Sequence, residues 1–297
     1  MVKFPFTHSP VAEELPGLED AVEQNTTEAL AEDIGTGDLT ASLLPVSQVA
    51  SARVISREDA ILCGIPWFEA CFRKLDPLIA IRWHAHESER IYPNQLLCEI
   101  EGNARALLTA ERPALNFLQT LSGTASLARR YADAIAGTDA VVMDTRKTLP
   151  GLRIAQKYAI RIGGGANQRI GLYDGILIKE NHIASAGGIR PVLKAAFALK
   201  ANVPIQIEVE TLDELKEAID AGANLILIDN FSLDQMREAV KIARDRAVLE
   251  ASGNITLDNV RDVALTGVQR ISIGSLTKHV RAVDLSMRVQ TGEKLRP

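Results

Sequence analysis

From residue 139 to residue 274 the hydrophobic positions gather into short runs separated by amphipathic stretches. The runs are AVVMD (140–144), GILIK (175–179), IQIEVE (205–210), LILID (225–229), AVLEA (247–251) and RISIG (270–274). Such near-continuous apolar runs predict strands buried on both faces, as in a parallel sheet. Helical signals lie between them. Thr211 and Glu214 form a capping box, Leu212, Leu215, Ala218 and Ile219 make one face, and Gly222 follows as a stop. Ser232 opens the next predicted helix, and Thr256 opens the last, which Gly267 ends. Strand ends recur at Glu208, Asp229, Ser252 and Gly274, intervals of 21, 23 and 22 residues. That even spacing predicts successive βα units in a barrel or a doubly wound sheet.

The first third of the chain follows another pattern. SARVISRED and AILCGIP predict strands, PWFEACFRKL predicts a helix, and IAIRWHAHESERIY alternates as a half-exposed strand does. A smaller α+β domain is expected here. ERPALNFLQTLSGTASLARRYADAIAG predicts a long helix with Pro113 early and Gly137 just past its end. The domain boundary is expected inside or just before this helix.

Composition narrows the function classes. With 46% hydrophobic and 24% charged residues in 297, the chain is of ordinary globular type. A net charge of -5 argues against a general nucleic-acid or anionic-membrane binder, so any basic site has to be local. The N-terminal MVKFPFTHSPVAEELPG lacks an apolar core of signal-peptide length, and no window approaches the ~20 apolar residues of a membrane span. A cytoplasmic protein is expected. Cys63, Cys71 and Cys98 lack metal-type pairing and are expected as reduced core residues. His84 and His86, on an alternating strand, are expected to face solvent rather than bind a metal.

Ligands of parallel α/β folds bind at the C-terminal ends of the strands. Those ends carry Arg146 and Lys147, Lys179, Glu208 with Glu210, Asp229, Ser252–Asn254, and Gly274 with Ser275. Residues 145 to 180 hold seven Lys/Arg against Asp174 and Glu180, in a chain that is acidic overall. Arg153, Lys157 and Arg161 share a helical spacing, which suits a solvated face as well as a site. Arg146, Lys147, Arg169 and Lys179 stand at strand ends or beside glycines, where an anion site is the better reading. Glu208 and Asp229 suit Mg2+ shared with substrate phosphates, or ion pairs with those lysines. The SGN and IGS turns offer backbone N–H groups leading into helix N-termini, a phosphate cradle. IGGGANQRIG (162–171) has neither GxGxxG nor GxxxxGKS/T spacing, so it is not a general nucleotide loop.

The stretches EDIGTGDLT, ERPALNFLQTLSGTAS, DTRKTLPGLR, KYAIRIGGGANQR, ILIKENHI, IEVET, LIDNFS, EASGN and SIGSLTKHVRAVDLSM run in order from residue 32 to 287. In them the chain resembles the quinolinate phosphoribosyltransferases. The resemblance implies an incomplete, TIM-like β/α barrel over 116–279 and an N-terminal α+β domain over 1–115, joined by the C-terminal tail 280–297. It implies a homodimer or higher homo-oligomer whose site is shared between subunits. The implied reaction takes quinolinate and phosphoribosyl pyrophosphate, with Mg2+, to nicotinate mononucleotide, pyrophosphate and carbon dioxide in NAD biosynthesis. No covalent enzyme nucleophile is needed.

Roles follow from the same resemblance. Arg146, Arg169 and Lys179 would hold the quinolinate carboxylates, with Arg112 reaching in from the partner subunit and Thr145 in the same substrate set. Lys147, Lys179, Glu208 and Asp229 would be catalytic, the two acids engaging the ribose hydroxyls and Mg2+. Ser252, Gly253 and Asn254, with Ile273, Gly274 and Ser275, would hold the 5′-phosphate. The glycines of IGGGANQRIG would let the backbone pass close to the flat pyridine. The family usually has His-Arg where this chain has Gln168-Arg169. Gln168 is therefore expected to keep a hydrogen bond to the substrate and give up the charge. Two other readings stay open on sequence alone: a paralogue acting on another anionic substrate, and a catalytically silent barrel that binds a phosphorylated metabolite.

Overall fold

The computed structural model describes residues 15–290. The N-terminal stretch read for a leader lies outside that range through residue 14, as do residues 291–297 of the expected tail. Contacts divide the chain into two compact units. The first runs to Arg129 and takes in Thr148–Gly164 and the chain from Lys278 onward; the second is Arg130–Lys147 with Gly165–Thr277.

The first unit contains α1 (Leu18–Ile34), β1 (Val49–Ser56), β2 (Ala60–Ile61), α2 (Ile65–Leu75), β3 (Ala80–Trp83), β4 (Arg90–Ile91) and β5 (Leu96–Asn103). The long helix α3 (Ala104–Ala134) follows and carries the chain into the second unit. Ala50, Ala52 and Val54 alternate inward along β1 and share a buried core with Trp67, Phe68, Cys71 and Phe72, one face of α2. AILCGIP stops being a strand at Ile61 because the chain turns at Gly64 (φ 110) into α2. Glu87 closes that turn, accepting from Gly64 N at 2.7 Å.

Two further predicted elements differ. IAIRWHAHESERIY is not one strand, since β3 ends at Trp83 and Arg90–Ile91 pairs with β2 instead. His84 Nε2 lies 3.1 Å from Glu99 Oε2. The long helix starts at Ala104 rather than Glu111, which puts Pro113 inside it. The Asn103 side chain supports that start by accepting from Arg105 N at 3.0 Å. The three cysteines are buried and free, and burial raises each thiol pKa, that of Cys71 to about 12.

The second unit begins with β6 (Val141–Met143). The chain then returns to the first unit for α4 (Arg153–Ile162), where Arg153, Lys157 and Arg161 lie. Gly163 ends α4 so close to α3 that a Cβ would overlap Ala125 O and Ala128 Cβ, and Gly164 takes a left-handed φ of 93°. The first two glycines of the triplet thus serve helix packing and a turn, which corrects the expectation that they make room for a ligand.

The remaining elements are β7 (Ile176–Ile178), α5 (Glu180–Ala186), α6 (Ile189–Ala198), β8 (Ile205–Val209), α7 (Leu212–Asp220), β9 (Leu225–Asp229) and α8 (Leu233–Ala243). After them come β10 (Val248–Ser252), α9 (Val260–Ala264), β11 (Arg270–Ser272) and α10 (Ser275–Lys278). Finally β12 (Leu285–Gln290) pairs antiparallel with β1 in the first unit's sheet, ordered β12-β1-β5-β3. The six predicted strands of the second half form one parallel sheet, β6-β11-β10-β9-β8-β7. Its two end strands do not pair with each other, so the barrel is open. Thr211 and Ser232 cap α7 and α8 as predicted, but the helix after β10 starts at Val260, with Thr256 in the preceding turn. No helix among the described residues is long and apolar enough to cross a membrane.

Candidate active site

Alternation decides which strand residues can meet. Ile207, Val209, Ile226, Ile228, Leu249, Ala251 and Ile271 are buried, and α7 and α8 pack against β8, β9 and β10. The intervening positions share the other face: Gln206 and Glu208, Leu227 and Asp229, Glu250 and Ser252, Arg270 and Ser272. Register then aligns them across strands, with Glu208 opposite Leu227 opposite Glu250, and Asp229 opposite Ser252. The polar ends are thereby assembled on one face of the sheet.

Lys179 follows Ile178, which is in register with Ile207, so it stands beside Glu208. Its Nζ is 2.6 Å from Glu208 Oε2, with the carboxylate only 11% exposed. His182 fixes the lysine's backbone by accepting from Lys179 N at 3.0 Å through Nδ1, which gives the histidine of KENH a structural task. On the next strand Asp229 accepts from Asn230 Nδ2 at 2.7 Å, and Asn230 Oδ1 accepts from Asn254 Nδ2 at 3.2 Å. Asn230 N also donates to Ser252 O, so Asp229 and the SGN turn are braced together. Gly253, at φ 97, has no room for a Cβ against Asn230. The SGN turn does not lead straight into a helix, whereas IGS does, into the four-residue α10. Lys147 lies along Gly274 of that turn, its backbone N donating to Thr145 Oγ1 at 3.1 Å, and Ile273 N donates to Met143 O.

The basic centre is built from two segments. Ala166 forms a parallel bridge to Met143 on the open side of β6, and Asp144, fully buried, accepts from Asn167 Nδ2 at 2.7 Å and Gln168 N at 2.8 Å. This clamp holds TRK beside NQR. Arg146 and Arg169 consequently stand close enough that burial first, and then the Arg146 charge, lower the Arg169 pKa. Arg169 Nη1 donates to Gly175 O at 2.8 Å, and Asp174 fixes the intervening turn by accepting from Ile170 N and Gly171 N at 2.7 and 2.8 Å.

The Gln168 side chain does not follow its expected course. Its Nε2 donates to Glu250 Oε1 and lies 3.4 Å from Gln206 Oε1, in the layer beneath the strand ends. Arg112 belongs to the first unit, where it lines a cavity of about 170 Å3 with Glu32, Asp33, Asn116 and Thr120. Sequence reasoning missed Asp144, Asp174, Asn230 and Glu250 as organisers; only Asp144 and Asn230 carried a signal, as polar neighbours of strand-end residues.

No group of three or more metal-ligating side chains occurs among the described residues. Glu208 and Asp229, on adjacent strands, offer two carboxylates, a donor set suited to Mg2+ that takes its remaining ligands from water and substrate phosphates.

Comparison with known proteins gives a consistent answer. Residues 38–122 match the family described as quinolinate phosphoribosyl transferase, N-terminal domain, and residues 124–288 match the C-terminal domain. A probable nicotinate-nucleotide pyrophosphorylase (carboxylating) of Bacillus subtilis is 40% identical over 87% of this chain and 90% of its own length. A mitochondrial quinolinate phosphoribosyltransferase (decarboxylating) of Nicotiana tabacum is 36% identical over 89% of this chain and 80% of its own. The solved structure of the Francisella tularensis nicotinate-nucleotide pyrophosphorylase is similar with a TM-score of 0.90 and 45% identity, covering 96% of this chain and all of the other.

Proposed function

The chain belongs to the quinolinate phosphoribosyltransferase family and transfers a phosphoribosyl group to quinolinate with decarboxylation, and we propose how its own residues carry that reaction. The observation behind the proposal is the Asp144 clamp, which holds the Thr145–Lys147 segment against Asn167–Arg169 and so brings Arg146 near Arg169. Two neighbouring guanidiniums match a vicinal dicarboxylate, which offers one carboxylate to each. Lys179 adds a third cation. Glu208 and Asp229 face the ribose, where their negative charge favours the cationic character that develops at C1′ as pyrophosphate departs. The Ser252–Asn254 turn and the Ile273–Ser275 turn hold the 5′-phosphate, the second through the backbone N–H groups of Gly274 and Ser275, with Lys147 beside it. Mg2+, held by Glu208, Asp229 and the substrate, would neutralise the leaving pyrophosphate.

The pyridine nitrogen attacks C1′, the C1′–O bond to pyrophosphate breaks, and the nitrogen becomes positive. The electron pair released when the neighbouring carboxylate leaves as carbon dioxide is stabilised by that positive nitrogen, and a proton then replaces it. Calorimetric titration tests the arginine assignment. Nicotinate, with one carboxylate, should bind at least about tenfold more weakly than quinolinate. Equal affinity would refute a two-arginine clamp.

We further place the working enzyme in the cytoplasm as a homodimer, with Arg112 completing the partner's site. Arg112→Ala and Lys179→Ala proteins, each inactive alone, should regain activity when their subunits are exchanged. Half of the random dimers are hybrids with one intact site, so about a quarter of all sites recover. Proven exchange without recovery would refute the shared site.

A further inference from the structure

The strand-end residues stand above a buried polar layer that none of these roles uses. Glu250 is fully buried two residues before Ser252 on β10, and Gln206 stands two residues before Glu208 on β8. Gln206 Nε2 donates to Glu250 Oε2 at 3.0 Å, while Gln168 Nε2 donates to Glu250 Oε1. Both carboxylate oxygens are thus occupied by amides, and Arg270, opposite Glu250 on β11, supplies an attractive charge. A carboxyl group this deep is tolerated because every part of it is partnered.

The segment from Ala166 to Gly175 spans the opening of the barrel, from the free side of β6 to the start of the other end strand, β7. It is fastened to β6 through Asp144 and within itself through Asp174. The Gln168 side chain reaches across to β10 and β8, directly beneath Ser252 and Glu208. Arg169 is the next residue. We propose that Gln168 is a positioning residue for Arg169: its amide, bound to Glu250, fixes the closing segment against the strands that carry the ribose and phosphate groups. A clamp on a planar carboxylate depends on such registration, since small displacements misalign its hydrogen bonds. The proposal rests on the reading of Arg169 as a quinolinate contact.

An exchange of partners tests it. Gln168→Glu sets a second carboxylate against Glu250, where two buried like charges oppose each other. The double variant Gln168→Glu with Glu250→Gln restores one carboxylate and one amide with donor and acceptor exchanged. In the intact protein, Gln168→Glu should raise the quinolinate KM about tenfold or more while the phosphoribosyl pyrophosphate KM stays within about twofold. The double variant should recover most of that loss. An unchanged quinolinate KM in Gln168→Glu, or a double variant no better than it, overturns the proposal. Should Gln168→Glu not fold, Gln168→Ala replaces it: a quinolinate KM raised about fivefold supports the proposal, and an unchanged one overturns it. Arg169→Ala separates the two levels, because an unchanged quinolinate KM there removes the clamp reading itself.

Discussion

Lys179→Ala will lower kcat/KM for both substrates by about a hundredfold to a thousandfold, as removal of a preorganised charge from a reaction centre does. The lysine contributes at two points. Its Nζ is 2.6 Å from Glu208 Oε2, so it sets the orientation of the carboxylate assigned to the ribose, and it is also assigned to a quinolinate carboxylate. Its alkyl stem rises from the strand end beside Glu208, and His182 holds its backbone, so a compact ammonium is delivered to a defined place. Lys179→Arg should therefore recover little. A guanidinium keeps the charge, but its planar fork cannot occupy the point between two carboxylates that an ammonium does. Steady-state kinetics with either substrate varied checks this. Activity within about threefold of the unaltered protein would show that Lys179 is a surface ion-pair partner and nothing more.

Arg169→Ala will raise the quinolinate KM by roughly ten- to 150-fold, the range for loss of charge-assisted hydrogen bonds, and will leave the phosphoribosyl pyrophosphate KM nearly unchanged. The split follows from the layout. Arg169 is placed with Arg146 by the Asp144 clamp, whereas the groups assigned to the phosphoribosyl end sit at or just past the ends of β8, β9, β10 and β11. Melting curves supply a second readout. Quinolinate should raise the melting temperature of the unaltered protein by mass action and should do so far less for Arg169→Ala at the same concentration.

Much of the catalytic half was legible because its signals are local. Each strand is a short apolar run, each capping box spans four residues, and the polar strand ends recur at even intervals. What was not legible depends on pairings distant in sequence. Gln168 and Glu250 are 82 residues apart, and no local pattern says that an amide beside a presumed ligand residue turns down into the sheet instead. The glycine triplet invited a ligand-based reading because a close approach to another helix leaves the same trace in sequence as a close approach to a substrate. In the first third, the break between β3 and β4 leaves little trace in sequence, because the left-handed Ser88 that accompanies the reversal does not announce a turn as glycine does. Asn103 supports the start of α3, but Pro113 is the more conspicuous start signal and lies further along the same helix.

The measurement that bears most directly on the whole account uses quinolinate labelled in its 2-carboxylate. The purified protein is incubated with it, phosphoribosyl pyrophosphate and Mg2+, and carbon dioxide, pyrophosphate and mononucleotide are counted together. One labelled carbon dioxide and one pyrophosphate for each nicotinate mononucleotide is the outcome predicted here. Retention of the label, or pyrophosphate released without mononucleotide, would contradict it.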